Sequence, residues 1–186
     1  MKKCALWVLL VALLSGCSEP PGEMERGMEL RSKLLQASEC SFSAVITADY
    51  GDKIHTFSMD CKADSSGNLT FTVVKPETIS GITGTLSGDG GNLTFDDTAL
   101  HFELMAENQL SPVSAPWILI KTLRNGYITS ACTEEGKLTL SIDDSYDSDP
   151  LRLDVRMNLE NTPEFADILF DGRRILSVHV TNFQIL

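Results

Sequence analysis

Positive charge is scarce in this chain. There are 15 Lys and Arg against 26 Asp and Glu among 186 residues, a formal net charge of −11. A surface of that sign does not attract phosphate backbones, so a nucleic-acid partner is excluded. Histidine is rarer still, with His55, His101 and His179 only. No Gly-x-Ser-x-Gly elbow, His-Glu-x-x-His helix, Gly-rich phosphate loop or Cys-x-x-Cys pair is present, so the patterns of the common hydrolases, nucleotide binders and zinc sites are missing. No catalytic residue, metal or cofactor is assigned, and the chain reads as a non-enzyme. Long apolar runs are lacking as well. The greasiest stretch, Leu6 to Leu14, is too short for a bilayer core of about 30 Å, which needs about 20 residues.

That short run sits in an informative setting. Lys2 and Lys3 precede it, and Leu14-Ser15-Gly16-Cys17 follows it. Charge, then apolar residues, then small residues at a cleavage point is the order of an export signal. A Cys directly after Ser-Gly resembles the lipobox of bacterial lipoproteins. The resemblance implies cleavage before Cys17 and an acylated Cys17, with a diacylglycerol on its thiol and a fatty acid such as palmitate in the anchor. More than one chain gives stable anchoring, which a single chain does not. The expected location is the extracytoplasmic face of the cell membrane. In a Gram-negative host, Ser18 favours the outer membrane. Residues 1–16 are then signal peptide, 17–22 a lipidated tether with Pro20-Pro21-Gly22, and 23–186 one domain. The signal carries two lysines and no acid, so the remainder stands at −13.

Glu23 to Ser38 reads as a helix, with Met24, Met28, Leu30, Leu34 and Leu35 at three- and four-residue spacings and acids in the first turn. From Cys40 the period changes to two. Phe42, Ala44, Ile46 and Ala48 alternate with polar residues, a turn follows at Tyr50-Gly51-Asp52, and a second run spans Ile54 to Cys61. Further strands are expected at 68–74, 93–95, 99–104, 127–132, 138–142, 151–159, 165–170 and 175–185. Gly-Asn-Leu-Thr-Phe occurs at 67–71 and 91–95, with a looser copy at 136–140, which suggests one turn chemistry used three times. One helix interrupts the strands. Ser114 can cap it, Pro116 suits its first turn and Gly126 can end it. Trp117-Ile118-Leu119-Ile120 is apolar nearly all round, so this helix should be buried on most sides. The expected fold class is mostly β (α+β), with a single antiparallel sheet.

With Cys4 removed and Cys17 acylated, Cys40, Cys61 and Cys132 remain. A turn centred between Tyr50 and Gly51 would set Cys40 opposite Cys61. A disulfide there would close a loop of about 20 residues and contribute about 3 kcal/mol. Two buried free thiols are the alternative. Cys132 is expected to be a buried thiol. The acidic run Asp143-Asp144-Ser145-Tyr146-Asp147-Ser148-Asp149 has alternate acids, but Ser148 stands where a calcium loop needs Gly, so an acidic inter-strand loop is expected. Asn68-Leu69-Thr70 and Asn92-Leu93-Thr94 are taken as turn residues.

The order of helix, hairpins, inserted helix and further strands over about residues 30–186 resembles the LolA/LolB-type superfamily of lipoprotein carriers and acceptors, including a germination-lipoprotein branch in Firmicutes. The resembling features are Val74-Lys75-Pro76-Glu77 before Gly81-Ile82-Thr83, the Gly90 to Phe95 segment, Ser111-Pro112 before the helix, and the closing strand Arg174 to Ile185. The resemblance implies a curved, half-open antiparallel barrel with helices on its concave face. It also implies an apolar cavity for lipid or acyl chains, lined by Phe71, Val73, Phe102, Trp117, Leu119, Ile120 and Leu123. Two functions follow from it as expectations. One is a membrane-anchored binder of a hydrophobic ligand. The other is a docking partner that regulates an envelope enzyme such as a peptidoglycan amidase.

Overall fold

The computed structural model describes residues 21–51, 53–95, 98–103, 105–106 and 109–186. The expected signal at residues 1–16 and Cys17 lie outside them. Helix α1 covers Glu23–Gln36. The strands are β1 Glu39–Asp49, β2 Ile54–Asp64, β3 Leu69–Lys75, β4 Thr83–Ser87, β5 Gly90–Phe95, β6 Thr98–Phe102, β7 Met105–Ala106 and β8 Gln109–Leu110. Helix α2, Ala115–Asn125, comes next. It is followed by β9 Tyr127–Glu134, β10 Lys137–Asp143, β11 Arg152–Met157, β12 Pro163–Phe170 and β13 Arg173–Ile185.

Eleven strands form one antiparallel sheet in the order β6-β5-β4-β3-β2-β1-β13-β12-β11-β10-β9. Its two edges, β6 and β9, do not meet. The mostly β architecture is therefore as expected, a curved, unclosed sheet with both helices on one face. The cause is the period of two. Inward positions of β1 and β10 are buried at every second residue, so each strand turns one apolar side to the helices. Leu34 of α1, Leu119 of α2 and Ile46, Met59, Leu69, Leu140, Leu153 and Ile168 of the sheet are fully buried in one cluster. Each such side chain contributes about 1.5–3 kcal/mol of burial.

Several local expectations change. Ser114 does not cap α2. It ends a 3-10 turn in right-handed helical geometry, and its hydroxyl donates back to the Ser111 carbonyl at 2.6 Å. Gly126 ends α2 without a positive φ (φ −72°, ψ 171°). It is glycine because a Cβ would lie 2.7 Å from Ile142 Cγ2 and 2.8 Å from the Asp143 carbonyl. Of the three Gly-Asn/Lys-Leu-Thr turns, Gly67 and Gly136 have positive φ, whereas Gly91 lies inside β5 and its neighbour Gly90 takes that role. β4 was not anticipated. Its inward position Gly84 carries no side chain, and the Phe71 ring fills that space instead. The β7–β8 ribbon was likewise not anticipated.

Candidate binding surfaces

The helix-covered face comes first, because the expected cavity lies there. Trp117 is 8% exposed, Phe71, Val73, Ile120 and Leu123 are each 3% exposed, and Leu119 is 0% exposed. All belong to the one core cluster, with Phe102 packed against it and partly buried. A void able to hold water would leave part of these side chains accessible. The expected lining residues are thus brought together as a packed core, with Trp117 and Ile120 also bordering a small recess at the end of α2. An acyl chain enters only if the helices move.

The two helices are clasped by an exchange of arginines. Arg31 of α1 donates Nε to the Leu123 carbonyl near the end of α2, at 2.9 Å. Arg124 of α2 donates Nε to the Leu34 carbonyl near the end of α1, at 3.2 Å, and Nη1 to the Asp64 carbonyl at 2.6 Å. The last carbonyls of a helix lack intrahelical donors and sit at its negative end, so a guanidinium satisfies both needs. Burial holds the Arg31 pKa below its ordinary value.

The opposite face of the sheet carries a groove of about 610 Å³ across β13 and β1 to β5. Strand register builds two rows there. Ser43, Asp60, Thr72, Thr83 and Thr94 stand side by side on successive strands. Gln184, Ser41, Lys62, Thr70, Thr85 and Asn92 form the second row, two residues along. Strands lie about 4.8 Å apart, so each row presents a hydrogen-bonding group at that interval. Its two charges are already engaged: Asp60 accepts from Ser43 at 2.7 Å, and Lys62 pairs with Glu39 at 3.2 Å. Of the expected site residues, Cys61 and Phe71 border this groove, but they were expected in a disulfide and in the cavity on the other face. The signal was present in the alternation Thr70-x-Thr72 and Thr83-x-Thr85, whose outward period mirrors the apolar one.

The hairpin register differs from the expected one. Tyr50 donates to Lys53, and Asp49 pairs with Ile54. The turn centre is therefore further along, and Cys40 faces Ala63 while Cys61 faces Phe42. The two thiols share a face but sit diagonally, where strand spacing of about 7–8 Å exceeds what a disulfide spans comfortably. Both are free and buried, so the expected Cys40–Cys61 bridge is not formed. Burial pushes both thiol pKa values up, opposed at Cys40 by the nearby Arg124 charge. Cys132 was expected to be buried. On edge strand β9 it is half-buried, with its thiol 3.9 Å from Glu134 Oε1.

His55, His101 and His179 are all exposed, and His101 contacts Asn92 at 3.1 Å. Asn68 donates to Asp64 in the β2–β3 turn, the turn role expected of it. In the acidic loop, Asp143 pairs with Arg152 at 3.0 Å and Asp144 accepts the Leu151 amide at 2.9 Å. Those carboxylates are turned to cations and amides, and among the described residues no His, Cys, Asp or Glu cluster could hold a metal.

No described helix is long and apolar enough to cross a membrane. No protein-family model and no curated protein sequence matches the chain. The fold is similar to that of LolA-superfamily and related envelope lipoproteins. A putative outer-membrane lipoprotein-sorting domain from Vibrio parahaemolyticus aligns with TM-score 0.48 and 5% identity over 88% of this chain and 92% of that one. A chain from the complex of the CwlD amidase with the GerS lipoprotein of Clostridioides difficile aligns with TM-score 0.47 and 14% identity, over 92% and 100%. A LolA-superfamily protein from Nitrosomonas europaea aligns with TM-score 0.46 and 8% identity, over 86% and 93%. At such identities the likeness is one of fold, and no residue role passes across it.

Proposed function

We propose that this protein is a non-enzymatic docking module of the cell envelope. It is anchored through Cys17 on the extracytoplasmic face of the membrane, or on the outer membrane in a Gram-negative host. Its partner is an envelope protein, such as a peptidoglycan amidase, that it positions or regulates. One observation carries this reading: the groove of about 610 Å³ lies on the polar outer face, while the space between sheet and helices is filled by the core apart from a recess of about 220 Å³ at the end of α2. The groove offers rows of neutral hydroxyl and amide groups, which suit the hydrogen-bonding surface of a protein better than an acyl chain. Anchoring would raise the local concentration of such a partner at the membrane.

Native mass spectrometry of the full chain, gently extracted from its own membrane, tests the proposal. A stoichiometric protein partner is expected, lost in the Thr72→Arg/Thr85→Arg double variant while its melting temperature stays near that of the parent. Retention of the partner by that variant would sink the groove as the docking surface. The second reading, an acyl-chain binder, rests on α2, whose Trp117 to Leu123 segment is apolar on nearly every side and faces the concave sheet. A bound mass of lipid size beyond the anchor, without a protein partner, would replace the first reading by the second.

A further inference from the structure

Arg124 does more than cap a helix. It is 6% exposed, and among the described residues no carboxylate lies within ion-pair distance of it. Its backbone neighbour in space, Asp64, turns its carboxylate away to the amides of Ser66 and Asn68. Two carbonyls take Nε and Nη1, but Nη2 has no acceptor. Carbonyl oxygens are the only partners of this buried guanidinium, and its full charge meets no carboxylate.

Beside it lies a recess of about 220 Å³ between the end of α2 and the β2–β3 turn. Its polar lining is Arg124, Lys121, Ser66 and Asn125, and Trp117 forms part of the wall. No carboxylate lines it. The Lys121 ammonium lies 5.3 Å from the centre of the Trp117 ring. The Asp144 carboxylate lies 3.7 Å from that ammonium, a long contact whose lysine side is open to solvent. The Trp117 indole N–H donates to the Gly67 carbonyl at 2.9 Å, so the wall is fixed to the turn.

We propose that this recess is an oxyanion site that takes a carboxylate or phosphate group. The guanidinium supplies a planar, permanent charge, Lys121 a second charge, and Ser66 and Asn125 neutral donors. The volume equals about seven waters' share of the liquid, enough for one such group and a few waters. The ligand supplies the counter-charge that the fold leaves out. The site lies away from the outer-face groove and does not depend on what that groove binds.

Trp117 provides the readout. The chain has two tryptophans, and Trp7 lies in the signal. The full chain carrying Trp7→Phe therefore reports on Trp117 alone. It is titrated with inorganic phosphate in one arm and sodium acetate in the other, with sodium chloride at matched ionic strength as reference. A saturating change in Trp117 fluorescence is expected in at least one arm, and the tighter arm assigns the oxyanion class. Lys121→Met keeps the apolar stem over the indole but removes the charge, and should weaken the midpoint by about tenfold. Arg124→Lys should weaken it at least as much, and thermal melting checks that this variant folds. If Arg124→Lys does not fold, Lys121→Met decides alone. A response equalled by chloride, no saturation in either arm, or an unchanged midpoint in Lys121→Met overturns the proposal.

Discussion

Asp64 shows how much one side chain organises. Its Oδ1 accepts the amides of Ser66 and Asn68 at 2.8 and 2.9 Å, and its Oδ2 accepts the Asn68 side-chain amide at 3.0 Å. These bonds, that from the Asn68 side chain foremost, hold its pKa below the ordinary carboxylate value. A depressed folded pKa stabilises the fold above the unfolded value of about 3.9, and that contribution is lost as pH falls through the folded value. Asp64→Ala should cost about 1–2 kcal/mol at neutral pH. The gap in melting temperature between variant and parent should close in acid, and a gap independent of pH would contradict the role. The cysteines make a second case. Burial keeps Cys40 and Cys61 protonated, so native alkylation should label Cys132 first. In denaturant without reductant, peptide mapping should find Cys40 and Cys61 labelled too. If they stay unlabelled until a reductant is added, the bridge exists after all. The sequence alone favoured that bridge because it shows a turn but not its length. Placing the turn centre too early, between Tyr50 and Gly51, turned a diagonal pair into an opposed one.

At the scale of elements, boundaries were legible wherever a pattern had a local cause. α1 and α2 start and stop within two residues of expectation, since acids and prolines act through adjacent backbone. What was hidden depended on distant neighbours. Leu30 and Leu34 are buried, yet Met24, Met28 and Leu35 are 46%, 49% and 56% exposed. Both stripes have helical spacing, and only the sheet decides which is covered. β4 escaped because its inward position is Gly84, whose space belongs to Phe71 from the next strand. Gly126 was recognised for the wrong reason. With φ at −72° any residue fits its backbone, so the requirement is close approach to β10 rather than a left-handed turn. Gly126→Ala should therefore destabilise by about 1–3 kcal/mol through overpacking. Pairing it with Ile142→Ala, which removes the Cγ2 methyl that makes the 2.7 Å contact, should cost less than the sum of the two single changes. Full additivity of the two changes in a urea unfolding cycle would argue against that contact as the cause.

For the whole molecule, the question is whether the space between helices and sheet is a pocket or a core. The apolar residues expected to line it were all legible in the sequence, because a cavity wall and a core draw on the same side chains. Which of the two they form depends on packing, which no single sequence displays. Leu119 separates the alternatives. It is 0% exposed and sits in the same cluster as Leu123, Phe71 and Val73. In an open lipid site, an aspartate there would be hydrated and would disturb ligand binding alone. In the closed core, a carboxylate loses its water and gains no partner, a cost of several kcal/mol. Against a total stability of about 5–15 kcal/mol, Leu119→Asp should leave a large fraction unfolded. Leu119→Ala removes volume without adding charge and should cost about 2–5 kcal/mol. Urea unfolding of both variants tests this. Losses below about 1 kcal/mol in each would mean that Leu119 faces space that gives way, and the acyl-chain reading would gain at the expense of the docking module. Large losses in both would leave the outer groove as the surface on which a partner must be sought.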